Sequence, residues 1–270
     1  MMRIPRVTIE SVSFARGDGT KDLWALTREV LSSVPSNGVG GVIAATFSNS
    51  QRFPALSIRA ASELHLPTGT PAFDLQLACS AYPYAVYLAG RLAADLGKRV
   101  LVLDGDVQSA LVNPQDHATG TIFSDAVTAS VVSSAPSGAD SVFDFGSAYD
   151  GAALSCAERG PIQMDGMKVF SFVATEVRTF LKNFIRENRA FLPAPDFAFV
   201  PHQAQPYMIR QLAKALELEE ELKTLPEEVR NPGSASIPLT LAMREVEGPV
   251  LMAGFGAGYS MGAGIVDVKR

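Results

Sequence analysis

Cysteine is nearly absent from this chain of 270 residues, which contains only Cys79 and Cys156. Two thiols cannot build a disulfide framework, and neither stands in the Cys/His spacing of a zinc site, so no metal is expected and a reducing cytoplasm is the natural compartment. Histidine is scarce as well, with three residues, and Trp24 is the single tryptophan. Neither sign of charge dominates: 23 Lys and Arg face 28 Asp and Glu, for a net charge of −5, which leaves no basic footprint for nucleic acid. The opening residues Met1-Met2-Arg3-Ile4-Pro5-Arg6 lack the apolar run of a secretion signal. The uncharged stretch from Pro249 to Val266 is broken by Gly254, Gly256, Gly258, Gly262 and Gly264. Each such glycine costs a helix about 1 kcal/mol, so two buried strands around a glycine loop are expected there and no membrane span.

What is present is apolar material: 47% of residues are hydrophobic against 19% charged, enough for a large core. Strand-like and helix-like stretches alternate, which argues for a layered α/β architecture. Val7–Phe14, Gly40–Phe47, Ala72–Leu77 and Arg99–Asp104 read as strands; the last is blunt and hydrophobic, as a strand buried on both faces must be. Lys21–Ser33, Pro54–Leu64 and Ser80–Leu96 read as the intervening helices. Alternation in Thr119–Ser133 and Ser141–Ser147 predicts antiparallel strands. After them, Met167–Asn188 is a long amphipathic helix, Phe197–Val200 a strand, Gln205–Leu218 and Ser236–Arg244 helices, and Pro249–Ala253 with Gly262–Val268 closing strands. A boundary near the middle divides the chain into 1–150 and 151–270.

Three residues stand where α/β enzymes project reactive groups. Cys79 lies between an apolar strand and a helix, where free backbone N–H groups and the helix dipole favour a thiolate; a small buried hydrophobe is the other reading of such a cysteine. His202 follows directly from the strand Phe199-Val200-Pro201 and precedes a helix, whereas His65 and His117 lie in loop-like surroundings. Asn231 opens the turn-rich Asn231-Pro232-Gly233-Ser234-Ala235-Ser236, which turn chemistry alone also explains. The order Cys, His, Asn is that of papain-like proteases, but nothing around Cys79 matches their motif.

Asp74-Leu-Gln-Leu-Ala-Cys79-Ser-Ala-Tyr-Pro-Tyr-Ala85 resembles the nucleophile segment of β-ketoacyl-acyl carrier protein synthase III enzymes of the thiolase superfamily. Val200-Pro201-His202-Gln203-Ala204 resembles their histidine motif, Asn231–Pro238 their asparagine loop, and Gly254-Phe255-Gly256-Ala257-Gly258 their C-terminal glycine loop. The resemblance implies a thiolase-like fold of two similar βαβαβαββ halves in α-β-α-β-α layers, acting as a homodimer. It implies a condensing acyltransferase of fatty acid or specialised-metabolite biosynthesis with no permanently bound cofactor. Cys79 would take an acyl group from a thioester of acyl carrier protein or coenzyme A. His202 and Asn231 would hold the carbonyl of a malonyl-type thioester during decarboxylative Claisen condensation. Backbone amides of Cys79 and of the loop Gly256, Ala257 and Gly258 would hold the acyl oxyanion; a tight strand connection is the bland account of the same glycines.

The chain also departs from that pattern. The segment whose Trp and Arg clamp the coenzyme A adenine is missing, Trp24 falling inside a helix, which favours a carrier protein as donor. Ser124-Asp125-Ala126-Val127 stands for the family's Gly-Asp-Gly-Ala, and Ala257 for a glycine. Arg210 and Lys214 on the helix after His202 would form a docking face for an acidic carrier; solvated surface is the bland account of the same pair. Phe53, reaching across a dimer, with Tyr82 and Phe255 would line the acyl pocket; core packing accounts for them equally. Two other readings remain: acyl transfer or thioester hydrolysis on Cys79 without decarboxylation, and a non-catalytic partner subunit of a synthase.

Overall fold

The structure, a computed structural model, describes residues 1–116, 119–157, 160–193 and 196–269. Strands β1 (Met2–Ile4) and β2 (Arg6–Arg16) open the chain, followed by α1 (Leu23–Leu31), β3 (Val39–Ala45), α2 (Leu56–Glu63), β4 (Ala72–Leu75), α3 (Ala81–Leu96), β5 (Arg99–Asp106) and β6 (Ala126–Ala135). There follow β7 (Ser141–Ser147), a small hairpin of β8 (Leu154–Cys156) and β9 (Ile162–Met164), α4 (Gly166–Phe172), α5 (Arg178–Glu187), β10 (Ala198–Pro201), α6 (Pro206–Leu216), α7 (Ser236–Met243), β11 (Gly248–Gly256) and β12 (Ser260–Val268). The elements expected from sequence are nearly all here. The long helix Met167–Asn188 differs in detail: α4 and α5 are joined by a π-helical turn, Val173–Val177, where the Thr175 hydroxyl donates to the Ser171 carbonyl and the Thr179 hydroxyl to that of Thr175.

The same strand order occurs twice. In the first set the order is β4-β3-β5-β6-β2, with β3 parallel to β4 and β5, and β6 antiparallel to both neighbours. In the second, Leu222 bridges β10 in parallel, β10 runs parallel to β11, and β12 is antiparallel to β11 and β7. Numbered from its own first strand, each set reads third, second, fourth, fifth, first. Asp267 and Val268 pair in parallel with Thr8 and Ile9, which joins the two sets into one sheet. The strand that begins the second set, β7, lies before residue 150, because β6 already completes the first.

Strand alternation builds the layers. Val100 and Val102 of β5, with Val250 and Met252 of β11, face a central layer formed by α3 (Tyr82, Ala85, Val86, Ala89) and α7 (Ile237, Leu241). Their neighbours in sequence face outward. Leu101 and Leu103 pack under α1 and α2, and Leu251 packs under α5 and α6 with Leu181, Phe184 and Leu212. Five layers result, α-β-α-β-α, as the resemblance implies.

The central helix is rich in small residues because two sheets press on it. A Cβ added at Gly90 of α3 would come 2.5 Å from Val7 Cγ2 and 3.2 Å from Ile4 Cδ1. Helix propensity alone favours Gly90→Ala by about 1 kcal/mol, while overpacking costs about 1–3 kcal/mol. The steric term is the larger, so Gly90→Ala is expected to lower the thermal midpoint; a rise would show that α3 does not sit this close to β2.

Candidate active site

Cys79 occupies a one-turn 3-10 helix, Ala78–Ser80, that leads into α3. Ala78 takes a left-handed backbone, φ 44°, a sharp turn for a residue carrying a Cβ. The Ser80 hydroxyl lies 2.9 Å from the Leu77 carbonyl and 2.6 Å from the Ser260 hydroxyl, which in turn lies 2.8 Å from the Ala257 carbonyl. The nucleophile turn and the glycine hairpin are thereby tied together. A Cβ on Gly256 would lie 2.8 Å from Cys79 Cβ and 3.3 Å from its Sγ, and one on Gly254 would lie 3.0 Å from Ser80 Cα. Only bare backbone fits beside the thiol, so the glycines of this segment serve more than strand connection.

His202 comes off the end of β10, its backbone N–H donating to the Ala253 carbonyl at 2.7 Å. Its Nδ1 sits 2.8 Å from the Ser236 hydroxyl, which also accepts the Gln203 N–H at 3.2 Å. The ring stands edge-on to Phe255, with centroids 5.5 Å apart. Asn231 is held by backbone: its N–H donates to the Ile122 carbonyl at 3.0 Å and its carbonyl accepts from Ser124 N–H at 3.0 Å. Its Oδ1 accepts the Gly233 N–H at 2.9 Å, an Asx turn, and its Nδ2 donates to the Ala204 carbonyl at 3.4 Å, which leaves one carboxamide proton for another acceptor. The turn Gly233–Ala235 that follows packs against the Cys79 turn. Cys79, His202 and Asn231 are 6%, 2% and 6% exposed; the Cys79 turn packs on β11, His202 faces Phe255 of β11, and Asn231 bridges Phe123, which sets all three along the seam between the two strand sets.

Burial sets the electrostatics. It pushes the Cys79 thiol up to about 12, and Asp106 and then Asp104 add to the rise. The thiolate expected from the helix N-terminus is therefore not the resting form: loss of water and two nearby carboxyls outweigh the dipole. Burial also pulls His202 down to about 4, a backbone contact with Gly233 opposing it weakly, so the imidazole is neutral at pH 7. Asp106 is raised to about 6 by burial, against donation to it by the Phe47 N–H, Thr46 and Ser48. Burial holds Asp104 well above the usual carboxylate range, the Ser234 hydroxyl alongside opposing and Asp106 adding. No group among the described residues satisfies either Asp104 oxygen with a regular hydrogen bond.

Several expected residues lie apart from this seam. Phe53 is on the surface, 82% exposed. Tyr82 belongs to the central core, where its hydroxyl meets that of Ser130 at 2.8 Å; a ring with its polar end satisfied inside the layer does not line an opening. Phe255 alone of the three reaches the site, through His202. Arg210 and Lys214 are both exposed on α6, Arg210 with Glu227 at 3.9 Å. His117 lies outside the described residues. Ser236, Asp104, Asp106 and Gln108 escaped the sequence reading, although an Asp-Gly-Asp ending a buried strand was a visible signal. No cluster of His, Cys, Asp and Glu among the described residues could hold a metal, and no helix there is long and apolar enough to cross a membrane.

Comparison with known proteins meets this geometry from outside. Residues 73–151 match the family described as 3-oxoacyl-[acyl-carrier-protein (ACP)] synthase III, and residues 196–268 match its C-terminal part. The β-ketoacyl-[acyl-carrier-protein] synthase III of Rickettsia akari (strain Hartford) is 28% identical over 251 residues, covering 86% of this chain and 78% of that relative. The synthase III 1 of Vibrio parahaemolyticus serotype O3:K6 is 28% identical over 253 residues, with 87% and 79% covered. The crystal structure of 3-oxoacyl-(acyl-carrier protein) synthase from Burkholderia xenovorans LB400 superposes with a TM-score of 0.83 at 25% identity, over 99% of this chain and 94% of that one. Matched over more than half its length, in both halves and in order, the chain belongs to the 3-oxoacyl-[acyl-carrier-protein] synthase III family.

Proposed function

We propose that the protein loads an acyl group onto Cys79 and extends it with a malonyl-type thioester, releasing carbon dioxide. The observation that carries this reading is the packing of the Cys79 turn against both Gly256 and the turn after Asn231, with His202 anchored on Ser236 beside them. In the first half reaction the Cys79 sulfur bonds to the acyl carbon, the donor carbon–sulfur bond breaks, and the thiol proton leaves on the donor sulfur. The Cys79 N–H and an amide of the Gly256–Gly258 turn hold the oxyanion. In the second, the bond to the malonyl carboxylate breaks, carbon dioxide departs, and the enolate carbon attacks the acyl-enzyme. A proton from solvent restores the thiol as the 3-oxoacyl thioester leaves.

The enolate oxygen needs donors that carry no charge and no permanent partner. A neutral imidazole and a carboxamide meet that need in a dry seam. In this reading the Ser236 hydroxyl donates to Nδ1 while accepting the Gln203 N–H, and the ring proton then sits on Nε2, toward the substrate. Malonyl-carrier protein added to wild-type enzyme already acylated by a thioester donor is expected to give carbon dioxide and a 3-oxoacyl product. Cys79→Ala should gain no acyl mass with acyl-carrier or acyl-coenzyme A donors; an adduct on that variant refutes the nucleophile assignment.

The donor is proposed to arrive on acyl carrier protein, an acidic partner that the exposed Arg210 and Lys214 complement. The protein is proposed to work in the cytoplasm as a homodimer: β4 ends the sheet with Phe73 exposed, and Phe53 is exposed ahead of α2, both in keeping with a facing copy. The division between halves is proposed at the connection 136–140, ahead of β7. Reversing both charges, Arg210→Glu with Lys214→Glu, is expected to raise KM for carrier-bound donors several-fold, about what two exposed pairs supply, and to leave coenzyme A donors unaffected; equal kinetics for carrier donors would exclude the docking face.

A resting thiol rather than a thiolate has a direct signature. In a Cys156→Ser background, alkylation of Cys79 by iodoacetamide is expected to rise about tenfold per pH unit between pH 7 and 9 without levelling, because the ionised fraction is still small far below the thiol's own pKa. A plateau near neutral pH would mean a thiolate already paired with His202.

A further inference from the structure

The geometry points to Gln108 as a positioning residue for the Asn231 carboxamide. This rests on the decarboxylating role proposed for Asn231. Gln108 follows β5 and is 1% exposed. Its single side-chain nitrogen donates to two backbone carbonyls, Ser124 at 2.9 Å and Asn231 at 3.0 Å. Those residues belong to a parallel bridge that pairs Phe123 with Asn231, so the amide spans both strands of the bridge and uses both of its protons.

The amide is itself held in place. Next to it, the Ser109 N–H donates to Asp125 at 2.8 Å and the Ser109 hydroxyl donates to the same carboxylate; on its other side the Val107 N–H donates to the Ser48 hydroxyl at 2.9 Å. The Gln108 head also lies against Gly233, whose added Cβ would sit 3.3 Å from Nε2, at a backbone φ of +64°. Gly233 is the residue whose N–H donates to the Asn231 Oδ1. Gln108 therefore touches the loop at two of the points that set the carboxamide, the carbonyl of Asn231 and the glycine that orients its Oδ1, while the Ala204 carbonyl accepts from its Nδ2 at 3.4 Å.

A hydrocarbon of the same size would fill this volume. What it would not do is tie the Asn231 carbonyl to the 122–124 segment, and a loop free to move by an ångström misplaces its donor at a cost of up to about a hundredfold in rate. The consequence is selective. Acyl transfer to Cys79 uses the Cys79 and Gly256–Gly258 amides and does not call on Asn231, whereas decarboxylation does.

The test compares the two half reactions in the full chain. Acylation of Cys79 is followed by intact mass with acetyl-carrier protein or acetyl-coenzyme A, whichever loads the wild type, and carbon dioxide release is followed with malonyl-carrier protein. Gln108→Leu is expected to lose roughly tenfold to a hundredfold in carbon dioxide release while loading stays within about twofold. Gln108→Glu carries the test where Gln108→Leu fails to fold: its carboxylate faces two carbonyl oxygens, and lowering the pH restores a donor, so its decarboxylation relative to wild type should recover in acid, with no such recovery for Gln108→Leu. Equal losses in both half reactions, or no loss in either variant, overturn the assignment to Gln108. Wild-type protein that loads acyl groups yet releases no carbon dioxide overturns the condensing reading, and this inference with it.

Discussion

Everything in this protein turns on how closely the 3-10 turn of Cys79 approaches the backbone of β11. At Gly254 and Gly256 a single added carbon would collide with Ser80 or Cys79, so the distance between the two halves at their seam is set by the absence of side chains. The Ser80–Ser260–Ala257 hydrogen-bond chain then fixes how the halves register against one another. A buried thiol carried by the first strand set meets a glycine hairpin built by the second, and neither set forms this seam alone.

Closeness has an electrostatic consequence. With water excluded, charges are expensive, and every titratable group in the seam moves toward its neutral form: Cys79 upward, Asp104 and Asp106 upward, His202 downward. Such a site stores no ion pair at rest. Its donors are poised for negative charge that exists only while a thioester carbonyl is reacting, which is where preorganised donors are worth most. The buried carboxyls lie on β5, directly under the nucleophile, and Asp106 doubles as an anchor for the 46–48 loop through Thr46, Phe47 and Ser48.

Much of this was legible in the chain. Blunt apolar runs such as Arg99–Asp104 gave the buried parallel strands, because a strand covered on both faces has no polar side to show. The Cys79, His202 and Asn231 segments each sit after a strand or turn and before a helix, and that local grammar survives folding. The residues around them were harder to read. Tyr82 and Phe255 look alike as aromatic neighbours of a site, yet one points its hydroxyl at Ser130 inside the central layer and the other faces His202; helical and strand phase, not composition, separates them. The ionisation of Cys79 was misjudged for a related reason: the helix dipole is visible in sequence order, while Asp104 and Asp106 reach the thiol from a strand more than twenty positions away.

By itself the sequence determined the order of elements, the layered α/β class and the junctions at which Cys79, His202 and Asn231 stand, since periodicity and strand–turn–helix junctions are local properties of a chain. Only the tertiary structure decided which glycines touch the thiol, how burial reverses its charge preference, and that Gln108 and Ser236 secure Asn231 and His202. Those are relations between segments brought together by packing two sheets on one central pair of helices, and desolvation and close approach have no counterpart in a linear string of residues.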